Sequence, residues 1–599
     1  MTIREKYIML ASKKDEKPSF IISGIFRKML TVQILTMVTG IAGNLVDGMV
    51  TGKFLGETAM AAFGFTTTMS LIVAIVGSVL STGTSAICGK SLGEGDIKVT
   101  RQIFSSCFSM TLLISIALAI VMIVFAIPFV RIAGAEGEVA KLAVDYIRGF
   151  AIACPGIIFV SFFLPIMQLD GEMNRLMIAV IIMTLGDVAF DLLNVSVFNG
   201  GMFGMALATA FSYYIALLCL LPYFLKKNGI FSKPSFLLDK KAVGAMFKSG
   251  SPTALTQLGR MMLTFILNLY LMYIGGSYAV AAHAVIMSLA NLCMVPGTAI
   301  STTTQIITGL FCGEEDRIGI KRLIRTASKY NITVNGVGMI LFLIFAKPIV
   351  NLFYNGQASG IDITVMGFAF YALSMIFYGF NVIFRSYCQG SGQTKKAYII
   401  TASESFVCPL ITALILGSFF EIPAIWLCFA VGEAVTMIVM LIVFSTKNSH
   451  ESGFAAVIPF PHSFGEHIEA DFECTFTENK VSEAVKTSKE IGSFCLKHGA
   501  DKRTAFLLSL TMEEVVGNVM EHGFSDGKNH SIELRVLKKS EGWILRVRDD
   551  CKLFDMKKYM EQFSDDDPLK NIGLKILIGL AGDITYLNTF NLNNLTIRL

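Results

Sequence analysis

Three carboxylates lie where the surrounding sequence is apolar: Asp47 falls late in the first long apolar run, and Asp187 and Asp191 fall in the fifth, four residues apart. On a helix, positions i and i+4 share one face about a turn apart. A charge at the centre of a bilayer costs about 2.5 to 3.5 kcal/mol on the insertion scale, so acids retained there must face water, a partner or a substrate. Two acids on one face of a low-dielectric cavity repel each other, and a proton or a cation relieves the repulsion. The chemistry is that of a proton relay or a cation site. Arg260, in the seventh apolar run, could pair with one of these acids across a cavity or extend its guanidinium to the headgroups. His283 reads as a core histidine, and Glu404 and Glu433 receive no role from the sequence.

A second set stands near the C-terminus. Glu514, Asn518 and His522 follow one another at i+4 steps, so one helix face presents a carboxylate, an amide and an imidazole. An amide oxygen is a good Mg²⁺ ligand, and a carboxylate beside it can orient water or accept a hydroxyl proton. Asp549 closes a strand and Gly573 opens a helix, where phosphates are favoured.

The elements that must hold these residues follow from composition. Of 599 residues, 53% are hydrophobic and 16% charged, against about 25% charged in soluble domains. A single soluble domain is excluded, and so, with 14 prolines, is a disordered chain. Apolar runs of bilayer length recur from Thr31 to Phe444, about twelve of them, near 31–51, 59–86, 103–130, 145–168, 176–198, 203–224, 251–274, 278–309, 328–353, 363–388, 397–418 and 423–444. Every second loop carries the Lys and Arg (Lys90/Lys98/Arg101, Arg175, Lys226/Lys227, Arg317/Lys321/Arg322/Arg325, Lys395/Lys396), as does the N-terminal tail. That alternation predicts both termini in the cytoplasm of a cell expressing the chain in its cytoplasmic membrane. The net charge of +5 is a matter of topology and not of nucleic-acid binding. Twelve cysteines without a C-x-x-C pair predict neither disulfides nor a metal site. Gly83 to Ser91 imitates a phosphate-binding loop, but five residues separate its glycines where four are needed.

The apolar part repeats itself at an offset of about 220 residues. Gly56-x-x-Ala59-x-Ala61-Ala62 returns as Gly276-x-x-Ala279-x-Ala281-Ala282, and Gly93-Glu94-x-Asp96 returns as Gly313-Glu314-x-Asp316. Two six-span halves of like orientation around a central cavity are the architecture of a secondary transporter. The positions matching Asp47 and Asp191 at that offset, Leu267 and Ile411, are apolar, so the acids belong to the first half.

Val46-Asp47-x-x-x-x-Gly52-x-x-Gly56, Gly93-Glu94-Gly95-Asp96, Asp170-Gly171 and Gly204-x-Ala206-x-Ala208-Thr209 resemble the multidrug and toxic compound extrusion (MATE) family over residues 25 to 445. The resemblance implies an exporter of organic, often cationic compounds, driven by H⁺ or Na⁺ and needing no other cofactor for transport. It links Asp47, Asp187 and Asp191 to ion coupling; Asn is usual at the position of Asp187. Where some members carry an acid in the seventh and tenth spans, this chain has Gln257-x-x-Arg260 and Tyr378.

From Ala470 the pattern turns soluble: a strand at 472–476, helices at 478–498 and 501–522, strands at 531–537 and 543–549, a helix at 572–581 and strands at 583–588 and 594–599. Glu514-x-x-x-Asn518-x-x-x-His522-Gly523 and Asp549-x-Cys551-x-x-Phe554-Asp555 resemble the ATP-binding fold of histidine kinases, Hsp90-like chaperones and, most nearly, anti-sigma-factor serine kinases. That resemblance implies Mg-ATP, with Asn518 on Mg²⁺, Glu514 as base of a protein serine kinase, Asp549 on adenine, His522 and Gly573 at the nucleotide, and an anti-anti-sigma-like protein partner. Cys551 stands where Gly is usual, and Asn571-Ile572-Gly573 replaces a two-glycine lid element.

The sequence therefore describes a polytopic α-helical membrane protein, about twelve spans in two six-span repeats, with a C-terminal cytoplasmic α+β sandwich domain. Its segments are a tail (1–25), two lobes (26–230 and 231–446), a linker (447–469) and the serine kinase-like domain (470–599). The function expected is antiport of an organic solute against H⁺ or Na⁺ across a lipid bilayer, with the C-terminal module regulating or signalling. A flippase for a lipid-linked sugar and a membrane-anchored serine/threonine kinase or sensor are the alternatives.

Overall fold

The computed structural model describes residues 20–226, 229–354, 360–420, 422–444, 457–461, 463–524, 529–552 and 583–599. The N-terminal basic tail, Gly573, Asn571, the acidic run at 565–567, the helix expected at 572–581 and most of the linker lie outside these residues. The chain divides into a helical unit that runs to Pro461 and a second unit centred on His462–Leu599.

Apolar runs become helices in the first unit because a backbone removed from water must satisfy its own hydrogen bonds. In order these are α1 (Phe20–Val50), α2 (Glu57–Gly93), α3 (Ile97–Ile132), α4 (Gly137–Leu169), α5 (Met173–Leu193), α6 (Gly201–Phe224), α7 (Lys240–Gly313), α8 (Arg317–Tyr330), α9 (Gly336–Ile344), α10 (Ala346–Asn351), α11 (Ile361–Ala372), α12 (Met375–Gly390), α13 (Thr394–Ala402), α14 (Cys408–Phe419) and α15 (Leu427–Phe444). Among the described residues nine helical segments are long and apolar enough to cross a membrane, or ten if α11 and α12, bent by 41°, form one span.

The expected twelve are thus not met one for one, and the reasons are local. The runs at 251–274 and 278–309 both fall in α7, whose 74 residues would stretch about 110 Å against a bilayer of about 30 to 45 Å. The break lies at Gly276, whose φ of +69° interrupts the helix and which the repeat had paired with Gly56, at φ +90°. The run at 328–353 is divided among the end of α8, a π-turn at Asn331–Asn335, α9 and α10, so no single helix there has span length.

The repeated Gly-Glu-x-Asp element now has a physical meaning. Asp96 caps α3 by accepting the Val99 N–H at 2.9 Å, and Asp316 caps α8 by accepting the Gly319 N–H at 2.7 Å. The glycines ahead of them let α2 and α7 touch. A Cβ on Gly93 would strike the Leu310 carbonyl oxygen, and one on Gly313 would strike the Lys90 carbonyl oxygen. Gly89 meets Gly309 one turn back, where an added Cβ would lie 3.4 Å from the Gly309 Cα. The two halves meet reciprocally, backbone to backbone, at the end that carries Glu94 and Glu314.

The second unit is an antiparallel five-stranded sheet, order β1-β2-β3-β5-β4, built from β1 (Ile468–Phe476), β2 (Ile532–Lys539), β3 (Gly542–Asp549), β4 (Asp583–Thr589) and β5 (Leu592–Arg598). Helices α16 (Val481–Lys497) and α17 (Lys502–Asn518) pack on one face. Their buried Ile491, Leu508, Met512 and Val515 meet Leu534, Val536, Leu545, Val547 and Ile597, the inward set of a period-two pattern. Asp501 caps α17 by accepting the Thr504 N–H at 2.9 Å, and the hydrogen bonds to Thr504 hold its carboxyl below the usual range. Arg535 grips Asp471 in a two-pronged pair, Nη2 to Oδ2 at 2.7 Å and Nε to Oδ1 at 3.1 Å, tying β2 to the edge strand β1.

Candidate functional site

The three acids of the first half converge. Asp47 on α1 is 8% exposed and Asp191 on α5 is fully buried, and the two carboxyl groups are near enough to repel one another. Neither oxygen of Asp191 has a hydrogen-bond donor among the described residues. Two carboxylates facing each other with no donor between them require a proton or a cation, since burial removes the water that would otherwise screen them.

Asp187, one turn before Asp191, is served differently. Ser212 Oγ on α6 donates to its Oδ1 at 3.0 Å, Thr209 lies beside it, and a Cβ on Gly43 of α1 would sit 3.4 Å from its Oδ2. The Gly43 position thus lets α5 bring its acid against α1. Tyr146 of α4 and Tyr213 of α6 are close enough to feel all or most of this charge.

Each of the two acid-bearing helices passes into a π-turn just beyond its acid, Thr51–Leu55 after Asp47 and Asn194–Phe198 after Asp191. Such turns free backbone groups and gather at functional places in helices. Asn194 in the second turn accepts from the Gly200 N–H at 3.1 Å and donates to the Gly201 carbonyl at 3.1 Å, so it fixes the start of α6 against the end of α5. Its side chain fills the space a Cβ on Gly204 would need, which accounts for glycine at the head of the Gly204-x-Ala206 motif.

Arg260 joins none of these acids. Its guanidinium lies 5.4 Å from the ring centroid of Tyr378 and donates to that hydroxyl at 3.1 Å, and Thr298 Oγ1 shares the same hydroxyl at 3.0 Å. Among the described residues its hydrogen-bond partner is thus this aromatic hydroxyl in the second half.

The second half also contains charges to which the sequence gave no role. Glu404, 3% exposed and set in a π-turn at Ser403–Val407, is ion-paired with Arg385 of α12, whose Nη1 also donates to Thr256 Oγ1 at 3.2 Å. Asn381 Nδ2 donates to Glu433 Oε2 at 2.7 Å and to its carbonyl at 2.8 Å. His283 Nδ1 accepts from Trp426 Nε1 at 3.2 Å, as a core histidine does. Removing one member of a buried pair strands the other. Arg385→Leu is expected to cost about 3 to 5 kcal/mol in the thermal unfolding of detergent-purified protein, and the double variant with Glu404→Leu markedly less. Equal losses in both would show that the pair carries no such dependence.

In the second unit Glu514 and Asn518 share a face of α17, but His522 falls within the π-turn Val519–Gly523 that follows. The i→i+5 bonding of that turn breaks the i+4 alignment, and His522 is exposed where Glu514 and Asn518 are half-buried. Asn518 Nδ2 is buried with no hydrogen-bond partner among the described residues. Asp549 is buried at the end of β3, where its Oδ1 accepts from Asn593 Nδ2 at 2.7 Å and the Cys551 N–H at 3.0 Å. Burial pushes its carboxyl above the usual range, against the pull of those two donors.

The MatE family model matches residues 33–193 and 252–415, more than half of the chain. The chain belongs to the MatE family. The matched stretches hold Asp47, Asp187, Asp191, Arg260, Arg385 and Glu404. This MATE-family chain is 24% identical over 366 residues to the probable multidrug resistance protein YoeA of Bacillus subtilis, covering 58% of this chain and 76% of that one. It is also 24% identical over 441 residues to the multidrug export protein MepA of Staphylococcus aureus, covering 71% and 95%. In fold it is similar to the crystal structure of MATE in complex with MaD3S, with a TM-score of 0.65, 20% identity and coverage of 70% and 94%. A MOP superfamily transporter from Pyrococcus furiosus gives a TM-score of 0.65 at 21% identity, covering 71% and 97%.

Proposed function

We propose that this MATE-family membrane protein exports organic, cationic or amphipathic compounds in exchange for H⁺ or Na⁺, and that Asp47 and Asp191 form the core of the coupling site, with Asp187 an accessory acid one turn away. The observation that carries this reading is the fully buried Asp191 carboxylate, without a donor and opposite Asp47. Such a site is costly when empty of positive charge, so it takes up a cation and gives it up only when something else meets the charge. An entering ion moving down a potential of 100 mV supplies about 2.3 kcal/mol per charge, enough to make ATP unnecessary for transport. YoeA and MepA, named for multidrug resistance and export, support the substrate class.

The contact of α2 with α7 at Gly93 and Gly313 lies at the end bearing the basic loops, which on the positive-inside reading is the cytoplasmic end. Export of a fluorescent organic cation from cells, under an imposed proton or sodium gradient, tests the proposal. Export that continues undiminished after both gradients are collapsed would overturn it.

The finer part of the proposal concerns the C-terminal unit, which regulates or signals by binding a nucleotide. The buried Asn518 Nδ2, without a hydrogen-bond partner among the described residues, fits as a donor to a phosphate oxygen, leaving its Oδ1 for Mg²⁺ beside the Glu514 carboxylate one turn earlier. Asn518 would hold the metal and Glu514 would accept a hydroxyl proton, while the bound Mg-ATP supplies the transferable phosphoryl group. Asn518→Ala is expected to weaken binding of a fluorescent ATP analogue by at least about tenfold. Equal binding by the variant would remove the site.

A further inference from the structure

A second feature of the C-terminal unit stands apart from both proposals. β2 and β3 pair antiparallel with Ile532 opposite Asp549. Continued past the end of the ladder, that register sets Ser531 opposite Asp550 and His530 opposite Cys551. The first of these pairings is realised as a hydrogen bond from the Ser531 N–H to Asp550 Oδ1 at 2.9 Å. His530 Nδ1 lies 3.3 Å from the same oxygen. Ligand atoms of His530, Asp550 and Cys551 all lie within 4.8 Å of one another, a spacing that no other three such groups reach among the described residues.

The surroundings hold these residues in place. Cys551 is 6% and His530 8% exposed. The Phe524 ring stands edge-on to the His530 imidazole with centroids 5.7 Å apart, and a Cβ on Gly523 would come within 2.7 Å of Cys551 Sγ. The Cys551 N–H is fixed by Asp549. The backbone of Cys551 is therefore fixed at the end of the sheet, while its side chain keeps its own rotation.

A thiolate, an imidazole and a carboxylate are the ligand types of Zn²⁺, which binds them at about 2.0 to 2.3 Å and holds tetrahedral neighbours about 3.5 Å apart. The His530–Asp550 separation already meets that spacing, and a rotation of the Cys551 side chain closes the rest. We infer that His530 Nδ1, the Asp550 carboxylate and Cys551 Sγ form a Zn²⁺ site joining the ends of β2 and β3, with the fourth position left to water or an incoming donor. On binding, the Cys551 thiol releases its proton to solvent, and the proton that His530 Nδ1 donates to Asp550 leaves that nitrogen, the ring taking the Nε2–H tautomer so that the Nδ1 lone pair faces the metal. The unusual cysteine at position 551 thereby acquires a use independent of whether a nucleotide binds.

The test uses the detergent-purified full chain, stripped with chelator and titrated with Co²⁺. About one Co²⁺ per chain is expected to develop tetrahedral visible bands and a thiolate-to-cobalt charge-transfer band, both erased by Zn²⁺. Cys551→Ser is expected to abolish the charge-transfer band and His530→Ala to weaken binding at least about tenfold, whereas Cys474→Ser keeps both. In the unaltered chain, Zn²⁺ is expected to slow maleimide modification of Cys551, read by mass spectrometry, so the inference does not depend on any variant folding. No charge-transfer band in the unaltered chain, the same band in Cys551→Ser, or no protection of Cys551 would each overturn it.

Discussion

Asp191→Asn is expected to abolish gradient-driven export while leaving insertion and folding intact. Asparagine keeps the shape of the side chain but removes the negative charge that Asp47 faces, so the pair no longer demands a cation. Because the exchange removes one of two buried like charges, thermal stability in detergent should not fall. Asp187→Asn is the instructive contrast. Asp187 already has Ser212 as a donor at 3.0 Å, and asparagine is the residue usual there in the family, so export should persist. Export of a fluorescent cation from cells expressing matched amounts of each protein checks the pair. Loss in both variants would make Asp187 an equal member of the site, and loss in neither would remove the acids from the mechanism.

Gly93→Val combined with Gly313→Val should have the next largest effect. Each glycine lies against the backbone of the opposite half, where a side chain has no room and a carbonyl oxygen cannot rotate away. The overpacking cost, about 1 to 3 kcal/mol, corresponds to a shift of about 5- to 150-fold between the state with α2 and α7 in contact and states with them apart. Export should fall, because a cycle that needs both arrangements is held in one. Native cysteines report the change directly: Cys88 and Cys312 are buried beside this contact and should gain maleimide reactivity in the variant. Unchanged reactivity with unchanged export would mean that the contact is incidental.

How much of this was legible beforehand depended on the range of the interaction. Asp187 and Asp191 announce a shared face because their spacing is local, and Asp47 is conspicuous for standing in an apolar run. The capping roles of Asp96 and Asp316 follow from the repeat, since both lie immediately before a helix start. The contact of Arg260 with Tyr378 could not be read from the sequence because the two are 118 residues apart, and no periodicity encodes such a pairing.

The Arg385–Glu404 pair, across two helices, was invisible for the same reason. The π-turns after Asp47 and Asp191, and the one that turns His522 out of line, arise from a single shifted backbone hydrogen bond that leaves no composition signal. His530 and Cys551 could be matched only once the β2–β3 register was known. The break at Gly276 falls between two of the expected runs, whereas at Asn331–Asn335 an apolar run is not one continuous helix, because hydropathy measures apolar length and not continuity.

The central claim is that the acids of the first half couple a cation gradient to export, and it is tested most directly in proteoliposomes loaded with a proton- or sodium-sensitive dye. Adding an organic cation on the side from which it is exported should drive H⁺ or Na⁺ in the opposite direction through the unaltered protein and none through Asp191→Asn. Equal ion movement through both, or export with no ion movement in either, would contradict the account.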